Sequence, residues 1–435
     1  MIDFKDVKKI YFVGIGGIGM SACAGLASAQ GYDVSGSDSK DIYDPSKSVL
    51  DDHGIKYFIG YDSNNFQGAD LLVSTAAEDD QNPEVAKAKS MGIPVIGYPE
   101  LLNWLAKDKK QIVVVGTHGK GTTSGLLGFA LQKLEDSGFF VGAVLSDLKT
   151  NFYWGNGPHF VIEGDEYKTS SDDKTPKFMY YRPNVLLINN IEFDHPDIYP
   201  DIKAFKKPFA ELIEKLGKSD VVVFNQDDKN ASDIAYGFTG KKIGFSAQAR
   251  PEYKLPGVAY AYDYSAAICV LQQLGYEYEN VKNIIAEYSG VKRRYEIVYD
   301  ADVTIIDDYA HHPTAVKATL EATREKYPGR RIVCFFEPHT YSRTQETLAQ
   351  LKVAFAPADL VYIAEVYPAR EQKQESSITG NDVVRAVSES HPNVYFVSDK
   401  QDALQKYDLK KGDVVIVMAV GSFNTLSYDL ARRAK

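Results

Sequence analysis

The stretch VGIGGIG, residues 13–19, decides the fold of the N-terminal part of this chain. It carries the pattern G-x-G-x-x-G directly after the predicted strand Lys9–Gly14 and before a helical pattern over Ser21–Gln30. Glycines let the backbone turn tightly and approach a diphosphate, which then lies on the helix N-terminus. Asp38 ends the next predicted strand, Asp33–Ser37, where a carboxylate can hold a ribose hydroxyl. The pattern therefore predicts a nucleotide diphosphate site. It leaves open whether the ligand is NAD or a UDP-sugar, or whether the turn is only structural.

Strand and helix signals alternate along all 435 residues, which predicts parallel βαβ units. Single cores stop growing near ~250–300 residues, so a chain of this length contains more than one domain. The charged stretch Lys107–Lys110 and the break at Ser289–Gly290 are the predicted boundaries. We predict three consecutive α/β domains, residues 1–106, 107–290 and 291–435. The further predicted strands are Leu71–Ser74, Pro94–Gly97, Gln111–Val115, Phe160–Ile162, Asn184–Ile188, Asp220–Asn225, Val303–Ile306, Arg331–Phe336, Leu360–Ala364, Val394–Val397 and Val414–Met418.

A second glycine-rich loop, VVVGTHGKGTT over residues 113–123, also follows a strand and opens a helix. Backbone amides of such a loop cradle phosphate, and Lys120 can neutralise the charge of a β- or γ-phosphate. The loop departs from the full phosphate-loop pattern, because Val114 stands where the first glycine is expected. Gly121 stands where a Ser or Thr would bind Mg²⁺, and Thr122 comes one place later. A chain with two nucleotide loops, the second of triphosphate type, is not a simple dehydrogenase.

Short polar motifs follow several of the predicted strands. EGDE (residues 163–166) offers three carboxylates to a hard cation such as Mg²⁺, or is a solvated acidic turn. NNIEFDH (residues 189–195) places His195 near two carboxylates, where it could bind a second metal, orient a phosphate or be structural. RRYE (residues 293–296) and DDYAHHPT (residues 307–314) lie near the second boundary and are candidates for gripping a ligand between domains. Alternatively, His311-His312-Pro313 marks the start of a helix, with Pro313 early in its first turn.

Composition narrows the classes of function. The net charge of −10 argues against a nucleic-acid partner, which would need a basic face. The three cysteines, Cys23, Cys269 and Cys334, lie far apart and form no C-x-x-C, so we expect buried thiols in a reducing cytoplasm. The polar lead Met1–Val13 lacks the pattern of a signal peptide, and no apolar run approaches the ~18–20 residues of a membrane span. We expect a cytoplasmic protein without a membrane span, a monomer or a homodimer.

Seven motifs, taken in chain order, form one pattern: GIGGIGMS (14–21), STAAEDDQNPE (74–84), GTHGK (116–120), EGDEY (163–167), NNIEFDHPD (189–197), RRYE (293–296) and DDYAHHPT (307–314). This pattern resembles the Mur ligases across essentially the whole chain, in particular the branch that uses UDP-N-acetylmuramate. The resemblance implies a UDP-binding Rossmann-like domain, a central ATPase domain and a C-terminal Rossmann-like domain. It implies ATP and Mg²⁺ as cofactors, with a UDP-sugar and an amino acid or short peptide as substrates. The γ-phosphoryl group of ATP would pass to the muramyl carboxylate, and an amine would attack the resulting acyl phosphate.

The resemblance also implies roles for individual residues of this chain. Catalytic roles fall on Lys120, Glu166 and His195. ATP contacts fall on Gly116, Thr117, His118, Gly119, Lys120, Thr122, Arg294 and Asp308. Magnesium ligands are expected at Thr122, Glu163, Glu166 and His195. UDP-sugar contacts are expected from Gly14, Gly16, Gly17, Gly19, Met20, Ser21, Asp38, Ser74 and His311.

Two acceptors are compatible with this branch. The segment Glu163–Asp201 looks more like ligases that add the tripeptide L-Ala-γ-D-Glu-meso-diaminopimelate during recycling. EPHTYSRT (337–344) and VYPARE (366–371) look more like ligases that add L-alanine. We expect the tripeptide, with L-alanine as the alternative. Arg343 and Arg370 are candidates for binding the acceptor carboxylate.

Three departures from the family pattern concern ATP. Gly121 removes the expected hydroxyl ligand of Mg²⁺. The family segment G-x-H-N-x-x-N is replaced by PGVAYAYD (256–263), after a short region, Gly244–Leu255. The glycine-rich C-terminal motif is altered to GSFN (421–424). These departures leave a third possibility, a ligase-like protein that binds a UDP-sugar with impaired catalysis.

Overall fold

The computed structural model describes residues 4–170, 173–247, 253–369 and 371–435. Within these ranges the chain forms two compact units. The first unit comprises the described residues of 4–193, 200–246 and 264–285, and the second comprises the described residues of 194–199, 247–263 and 286–435. The predicted α/β class with parallel sheets is confirmed.

The first sheet of the first unit has five parallel strands in the order β3-β2-β1-β4-β5. Its central strand β1 reads KIYFV and buries its last four residues, as expected of a strand covered on both faces. Val13 at the end of β1 pairs with Ser37 of β2 and Ser74 of β4, so the first glycine loop leaves the middle of the sheet. The strands are β1 Lys9–Val13, β2 Asp33–Asp38, β3 Lys56–Ile59, β4 Leu71–Ser74 and β5 Val95–Gly97. The helices are α1 Ile18–Ala29, α2 Ser46–Asp52, α3 Pro83–Ser90 and α4 Tyr98–Leu105, after a 3₁₀ turn at Phe4–Asp6.

The second sheet of this unit has seven strands in the order β12-β11-β10-β6-β9-β7-β8, in which only the pairing of β7 with β8 is antiparallel. The second glycine loop leaves the central strand β6, between β9 and β10. The strands are β6 Lys110–Val115, β7 Gly138–Leu145, β8 Thr150–Tyr153, β9 His159–Glu163, β10 Pro183–Ile188, β11 Val221–Asn225 and β12 Lys241–Phe245. Helices α5 Lys120–Glu135, α6 Ile202–Glu214 and α7 Lys229–Ala235 and a 3₁₀ turn at Lys177–Tyr180 lie between them, and α8 Val258–Gln273 and α9 Tyr278–Glu287 follow.

The second unit contains a six-stranded sheet in the order β13-β14-β18-β15-β16-β17, with only β13 antiparallel. Buried side chains such as Ile305, Phe335 and Val417 fill one face of it. The strands are β13 Glu296–Asp300, β14 Thr304–Asp308, β15 Ile332–Phe336, β16 Leu360–Ile363, β17 Val394–Phe396 and β18 Val414–Met418. The helices are α10 Pro313–Lys326, α11 Tyr341–Ala354, α12 Gly380–Ser388, α13 Lys400–Lys406 and α14 Leu426–Ala434, with a 3₁₀ turn at Ser422–Thr425.

Each predicted strand is present with ends shifted by at most two residues, whereas β3, β7, β8, β12 and β13 were not predicted. Helix α1 begins at Ile18, three residues before the predicted start, and Lys110 belongs to strand β6 rather than to a linker. Each sheet lies inside one of the three predicted domain ranges, although the first two share one compact unit. Among the described residues, no helix combines the length and the apolar character that crossing a membrane requires.

Candidate functional site

The first glycine loop is shaped by close backbone approach. Gly14 has a φ of +79°, and a Cβ at this position would lie 2.5 Å from Cγ2 of Thr75. The Gly14 amide donates to the carbonyl of Ser37 at 2.8 Å. Oδ2 of Asp38 accepts from the Gly16 amide at 2.9 Å, so the predicted ribose-binding carboxylate lies at the loop and orders it. The loop and Asp38 come together as the sequence predicts.

The other predicted UDP-sugar contacts surround the start of α1. Gly17 precedes the helix, and a Cβ at Gly19 would lie 3.4 Å from an aromatic ring of α4. Met20 and Ser21 are buried in the first turn of α1, and Ser74 is buried at the end of β4. Their place beside the loop is as expected, and their contact with a ligand stays a prediction.

The second glycine loop depends on two glycines with left-handed or strongly positive φ and on the segment after β10. Gly116 has a φ of +140°, and a Cβ there would lie 2.8 Å from the carbonyl oxygen of Asn190. Gly119, with a φ of +79°, is the N-cap of α5. The Thr117 amide donates to the Asn190 carbonyl at 3.0 Å, and the His118 amide donates to Asn190 Oδ1 at 2.8 Å. The loop therefore leads from the central strand directly to a helix N-terminus, where amides without helical partners bind anions.

Side chains of the same segment fix the loop further. His118 Nε2 lies 2.8 Å from Oε2 of Glu192. The hydroxyl of Thr117 donates to the Glu192 carbonyl at 2.8 Å and accepts from its amide at 2.9 Å. Asn189 Nδ2 donates to the hydroxyl of Thr123 in α5 at 2.9 Å. The motif NNIE therefore supports the loop, a role that its sequence did not reveal.

Lys120 is buried and held by three oxygens. Its Nζ donates to the carbonyls of Gly116 at 2.7 Å and Thr117 at 3.2 Å, and lies 2.7 Å from Oε2 of Glu166. The two side chains of this ion pair are only 12% and 4% exposed. Burial works to lower the pKa of Lys120, but the negative charges of Glu166 and Asp165 outweigh it and raise the pKa. Lys120 therefore stays an ammonium at the mouth of the loop.

The three carboxylates of the acidic turn after β9 have different surroundings. Glu166 pairs with Lys120, and Asp165 pairs with Lys177 at 2.5 Å. Burial alone would raise the pKa of Asp165, but the two lysines hold it well below its usual range. Glu163 accepts from the amide of Gly142 at 2.6 Å. In this turn Glu163 thus contacts a backbone amide, whereas Glu166 and Asp165 each contact a lysine.

The oxygen donors around the second loop decide whether this site could hold Mg²⁺. Glu163 is a hard donor that suits Mg²⁺, and it faces the backbone of Gly121 at the start of α5. Glu166 is already bound to Lys120, so its predicted metal-binding role would require that ion pair to open. Thr122 is buried in the first turn of α5. The residues therefore fit a metal held mainly by Glu163, with no hydroxyl at position 121.

The second unit contains a buried cluster around Arg343. Its Nε and Nη2 both lie 2.8 Å from Oδ1 of Asp194, and the two side chains are 7% and 8% exposed. Its Nη1 and Nη2 contact Nδ1 of His339 at 2.5 Å and of His195 at 3.5 Å. The ring of His311 packs edge-on against His339 at 5.2 Å. Because Arg343 already binds a carboxylate, it is not a free anchor for an acceptor carboxylate, and Arg370 lies outside the described residues.

Charge and burial fix the protonation of this cluster. Burial works to raise the pKa of Asp194, but His195 and Arg343 outweigh it and hold the pKa well below its usual range. Burial and the charge of Arg343 lower the pKa of His339 to about 4 and that of His311 well below its ordinary value. The neutral His339 is therefore suited to accept the hydrogen bond from Arg343.

The predicted ATP contacts Arg294 and Asp308 also lie in the second unit. Asp308 accepts from the amides of Tyr295 at 2.7 Å and Ala310 at 2.6 Å, and burial raises its pKa. The guanidinium of Arg294 lies 4.8 Å from the ring centre of Tyr309. Asp308 ends β14, and Arg294 lies just before the neighbouring strand β13; their contact with ATP stays a prediction. The alternative reading of Pro313 is also confirmed, because α10 begins there.

The segment that replaces G-x-H-N-x-x-N is tightly packed where it is described. Gly257 has a φ of +90°, and a Cβ there would lie 2.5 Å from Cβ of Ala322. Tyr260 is buried and packs edge-on against Tyr295. Within the preceding region, Gly244–Leu255, residues 248–252 lie outside the described residues. At the third departure, the Gly421 amide donates to Oε2 of Glu337 at 2.8 Å.

Family models match three successive parts of the chain. They are described as Mur ligase family, catalytic domain (residues 9–110), Mur ligase middle domain (114–286) and Mur ligase, glutamate ligase domain (293–421). The UDP-N-acetylmuramate–L-alanine ligase of Sulfurihydrogenibium sp. (strain YO3AOP1) is 35% identical over 98% of both chains. The crystal structure of the UDP-N-acetylmuramate–alanine ligase of Thermotoga maritima has a TM-score of 0.80 and 26% identity, covering 98% of this chain and 99% of the other. A murein peptide ligase of Psychrobacter arcticus has a TM-score of 0.71 and 23% identity, over 98% of each chain, which shows the fold alone.

Two nucleotide loops on separate sheets, a buried loop lysine and an acidic turn define a nucleotide-dependent enzyme of the three-domain ligase class. The full-length similarity shows that the chain belongs to the Mur ligase family. It is an ATP-dependent amide-forming ligase, with ATP and Mg²⁺ as its cofactors.

Proposed function

We propose that this protein joins UDP-N-acetylmuramate to L-alanine. The observation that carries the proposal is the match over 98% of both chains to an enzyme named for that reaction, at 35% identity. A second relative with the same name, from Alkaliphilus metalliredigens, is 34% identical over 97% of this chain. We therefore favour L-alanine, which the sequence motifs gave as the alternative to the tripeptide.

The reaction proceeds in two steps. The muramyl carboxylate attacks the γ-phosphorus of ATP, and ADP leaves with the electrons of the broken bond. The amine of L-alanine then attacks the acyl phosphate, an amide forms, inorganic phosphate leaves, and the amine loses a proton. Positioning and charge neutralisation supply most of the catalysis in phosphoryl transfer.

The residues of the first unit suit this chemistry. The amides at the start of α1 and the loop around Gly14 would hold the UDP diphosphate, with Asp38 placed to reach a ribose hydroxyl. The loop Gly116–Gly119 would cradle the ATP phosphates. Lys120 would exchange part of its contact with Glu166 for the transferring phosphoryl group. Magnesium, held through Glu163, would supply further positive charge to the phosphates.

Residues of the second unit also have roles in the proposed reaction. Arg294 and Asp308 would hold ATP from the carboxyl end of β14, and His311 would contact the UDP-sugar. His195, beside the Asp194–Arg343 pair, would serve a second magnesium ion, as the family resemblance implies. These roles rest on the family resemblance and on the place of each residue in its own unit.

A tripeptide acceptor is the second candidate. It is favoured by the segment Glu163–Asp201, whose sequence looks like that of the ligases that add L-Ala-γ-D-Glu-meso-diaminopimelate. We further propose that the enzyme works in the cytoplasm as a monomer or homodimer, which agrees with three cysteines outside any disulfide among the described residues.

Acceptor-dependent phosphate release separates these candidates. The purified protein is incubated with ATP, Mg²⁺ and UDP-N-acetylmuramate, and with L-alanine, D-alanine or the tripeptide in parallel. We expect release with L-alanine only, and none from the Lys120→Met variant. Release with the tripeptide alone would establish the second candidate. No release with any acceptor, together with measurable UDP-sugar binding, would favour a ligase-like binding protein.

A further inference from the structure

The residue after the loop lysine has an unusual identity for a triphosphate site. In loops of this kind a Ser or Thr at that position gives its hydroxyl to Mg²⁺. Here the residue is Gly121, the second residue of α5. The loop therefore brings its lysine to the phosphates but brings no side-chain oxygen from this position.

The direction of the missing side chain is defined by the backbone. A Cβ built on Gly121 would lie 3.5 Å from both carboxylate oxygens of Glu163, at ordinary van der Waals distance. Oε2 of Glu163 is held by the Gly142 amide at 2.6 Å. A hydroxyl at residue 121 and this carboxylate would therefore converge on the same point, without displacing either.

Neighbouring hydroxyls do not replace the missing one. Thr122 follows Gly121 by one helical position, which turns its side chain by ~100° around the helix, and it is buried. The hydroxyl of Thr123 accepts from Asn189. Ser124 donates its hydroxyl to the carbonyl of Lys120 at 2.7 Å. The Thr123 and Ser124 hydroxyls are thus engaged by Asn189 and by the helix backbone, and Thr122 lies on another side of the helix from position 121.

We propose that position 121 sets the metal affinity of this nucleotide site, and that the chain binds the metal–nucleotide complex through Glu163 with one protein ligand fewer than a loop bearing Ser or Thr. Mg²⁺ retains several waters in protein sites, so solvent can occupy the remaining coordination position. Installing a hydroxyl at residue 121 strengthens metal binding. The inference rests on the nucleotide site of the proposed function, but not on the identity of the acceptor.

The test is a titration of the full-length protein, saturated with ADP, by Mn²⁺, in which the free ion is measured by electron paramagnetic resonance. Four proteins are compared: wild type, Gly121→Ser, Gly121→Ala and Glu163→Gln. Gly121→Ala is the matched control, because it adds the Cβ and the helix preference without the hydroxyl. We expect Gly121→Ser to lower the Mn²⁺ dissociation constant roughly tenfold. Gly121→Ala should match wild type, and Glu163→Gln should bind Mn²⁺ more weakly.

Equal affinities in wild type and Gly121→Ser would overturn the proposal. The same follows if Gly121→Ala tightens binding as much as Gly121→Ser, since the gain would then come from the Cβ. Thermal melting of each variant shows whether it is folded, and a folded Gly121→Ser protein that binds no more Mn²⁺ than ADP alone also counts against the proposal. The titration measures metal binding and not turnover. Its result therefore does not depend on whether the ligase assay succeeds.

Discussion

The ion pair between Lys120 and Glu166 gives the sharpest prediction about the second loop. Replacing Glu166 by Gln keeps the shape and an acceptor oxygen but removes the negative charge, so a buried ammonium loses its partner. The pair is 12% and 4% exposed, which makes it a buried pair rather than a surface one. Breaking such a pair by removing one partner costs about 3–5 kcal/mol. Since Lys120 keeps two carbonyl contacts, we expect about 3 kcal/mol, the lower end of that range.

Tryptophan fluorescence can isolate this effect. The chain has two tryptophans, Trp104 and Trp154, and both belong to the first unit. Urea unfolding followed by their emission therefore reports the free energy of unfolding of the unit that contains the pair. The matched control is Asp233→Asn in the same unit, which removes one carboxylate charge from a surface pair with Lys229 that is 48% and 86% exposed. The control should lower the free energy of unfolding much less than Glu166→Gln does, because exposed ion pairs are screened by solvent.

A double variant tests whether the loss of stability comes from the buried ammonium that has lost its partner. Glu166→Gln combined with Lys120→Met removes both charges of this pair, so it should lose less stability than the sum of the single changes. If Glu166→Gln and Asp233→Asn lose the same small amount, the pair does not stabilise the loop. Glu166 would then be available as the metal ligand that the family resemblance implies.

Further predictions concern the second unit and the first loop. Arg343→Met leaves Asp194 buried without its cation and should destabilise the second unit by about 3–5 kcal/mol, seen in urea unfolding by circular dichroism; an unchanged transition would contradict this. The pKa of His339 is about 4 in the folded protein, against an ordinary 6.5. The contribution of neutral His339 to the free energy of unfolding is therefore fully present above pH 6.5. It is lost as the pH falls toward 4, by at most about 3 kcal/mol. His339→Asn, which keeps an acceptor for Arg343, should flatten that pH dependence, and an equally steep profile would exclude His339 as its source. Gly14→Ala should abolish UDP-sugar binding in calorimetry because of the 2.5 Å contact and positive φ. The control Gly31→Ala, which also has a positive φ but where a Cβ would meet nothing within 4 Å, should still bind; equal binding by both variants would remove Gly14 from the site.

Local signals explain what the sequence could predict. Apolar strands in the middle of each sheet and the glycine patterns after them are short-range features, so β1, β6 and both loops were found at their positions. Four of the strands that were not predicted, β3, β8, β12 and β13, lie at sheet edges. Edge strands are less buried, as in KYFI of β3, where no side chain is fully buried, so their burial pattern is weaker than that of central strands.

Partners distant in sequence could not be predicted. The motifs EGDE and NNIEFDH indicated charge at strand ends, but not that Glu166 would bind Lys120 or that Asp194 would bind Arg343, 149 residues away. Such pairs depend on how strands are ordered in a sheet and on how helices pack, which a single sequence does not encode locally. The motifs also could not identify the acceptor substrate, because this chain contains segments that resemble both kinds of ligase.

The central claim is tested most directly by identifying the product. UDP-N-acetylmuramate, ATP, Mg²⁺ and L-alanine are incubated with the protein, and the nucleotide-sugars are separated and analysed by mass spectrometry. We expect a new species whose mass equals UDP-N-acetylmuramate plus alanine less one water, dependent on ATP and absent with Lys120→Met. Unchanged UDP-N-acetylmuramate, in a protein shown to bind both it and ADP, would contradict the assignment of ligase activity to this chain.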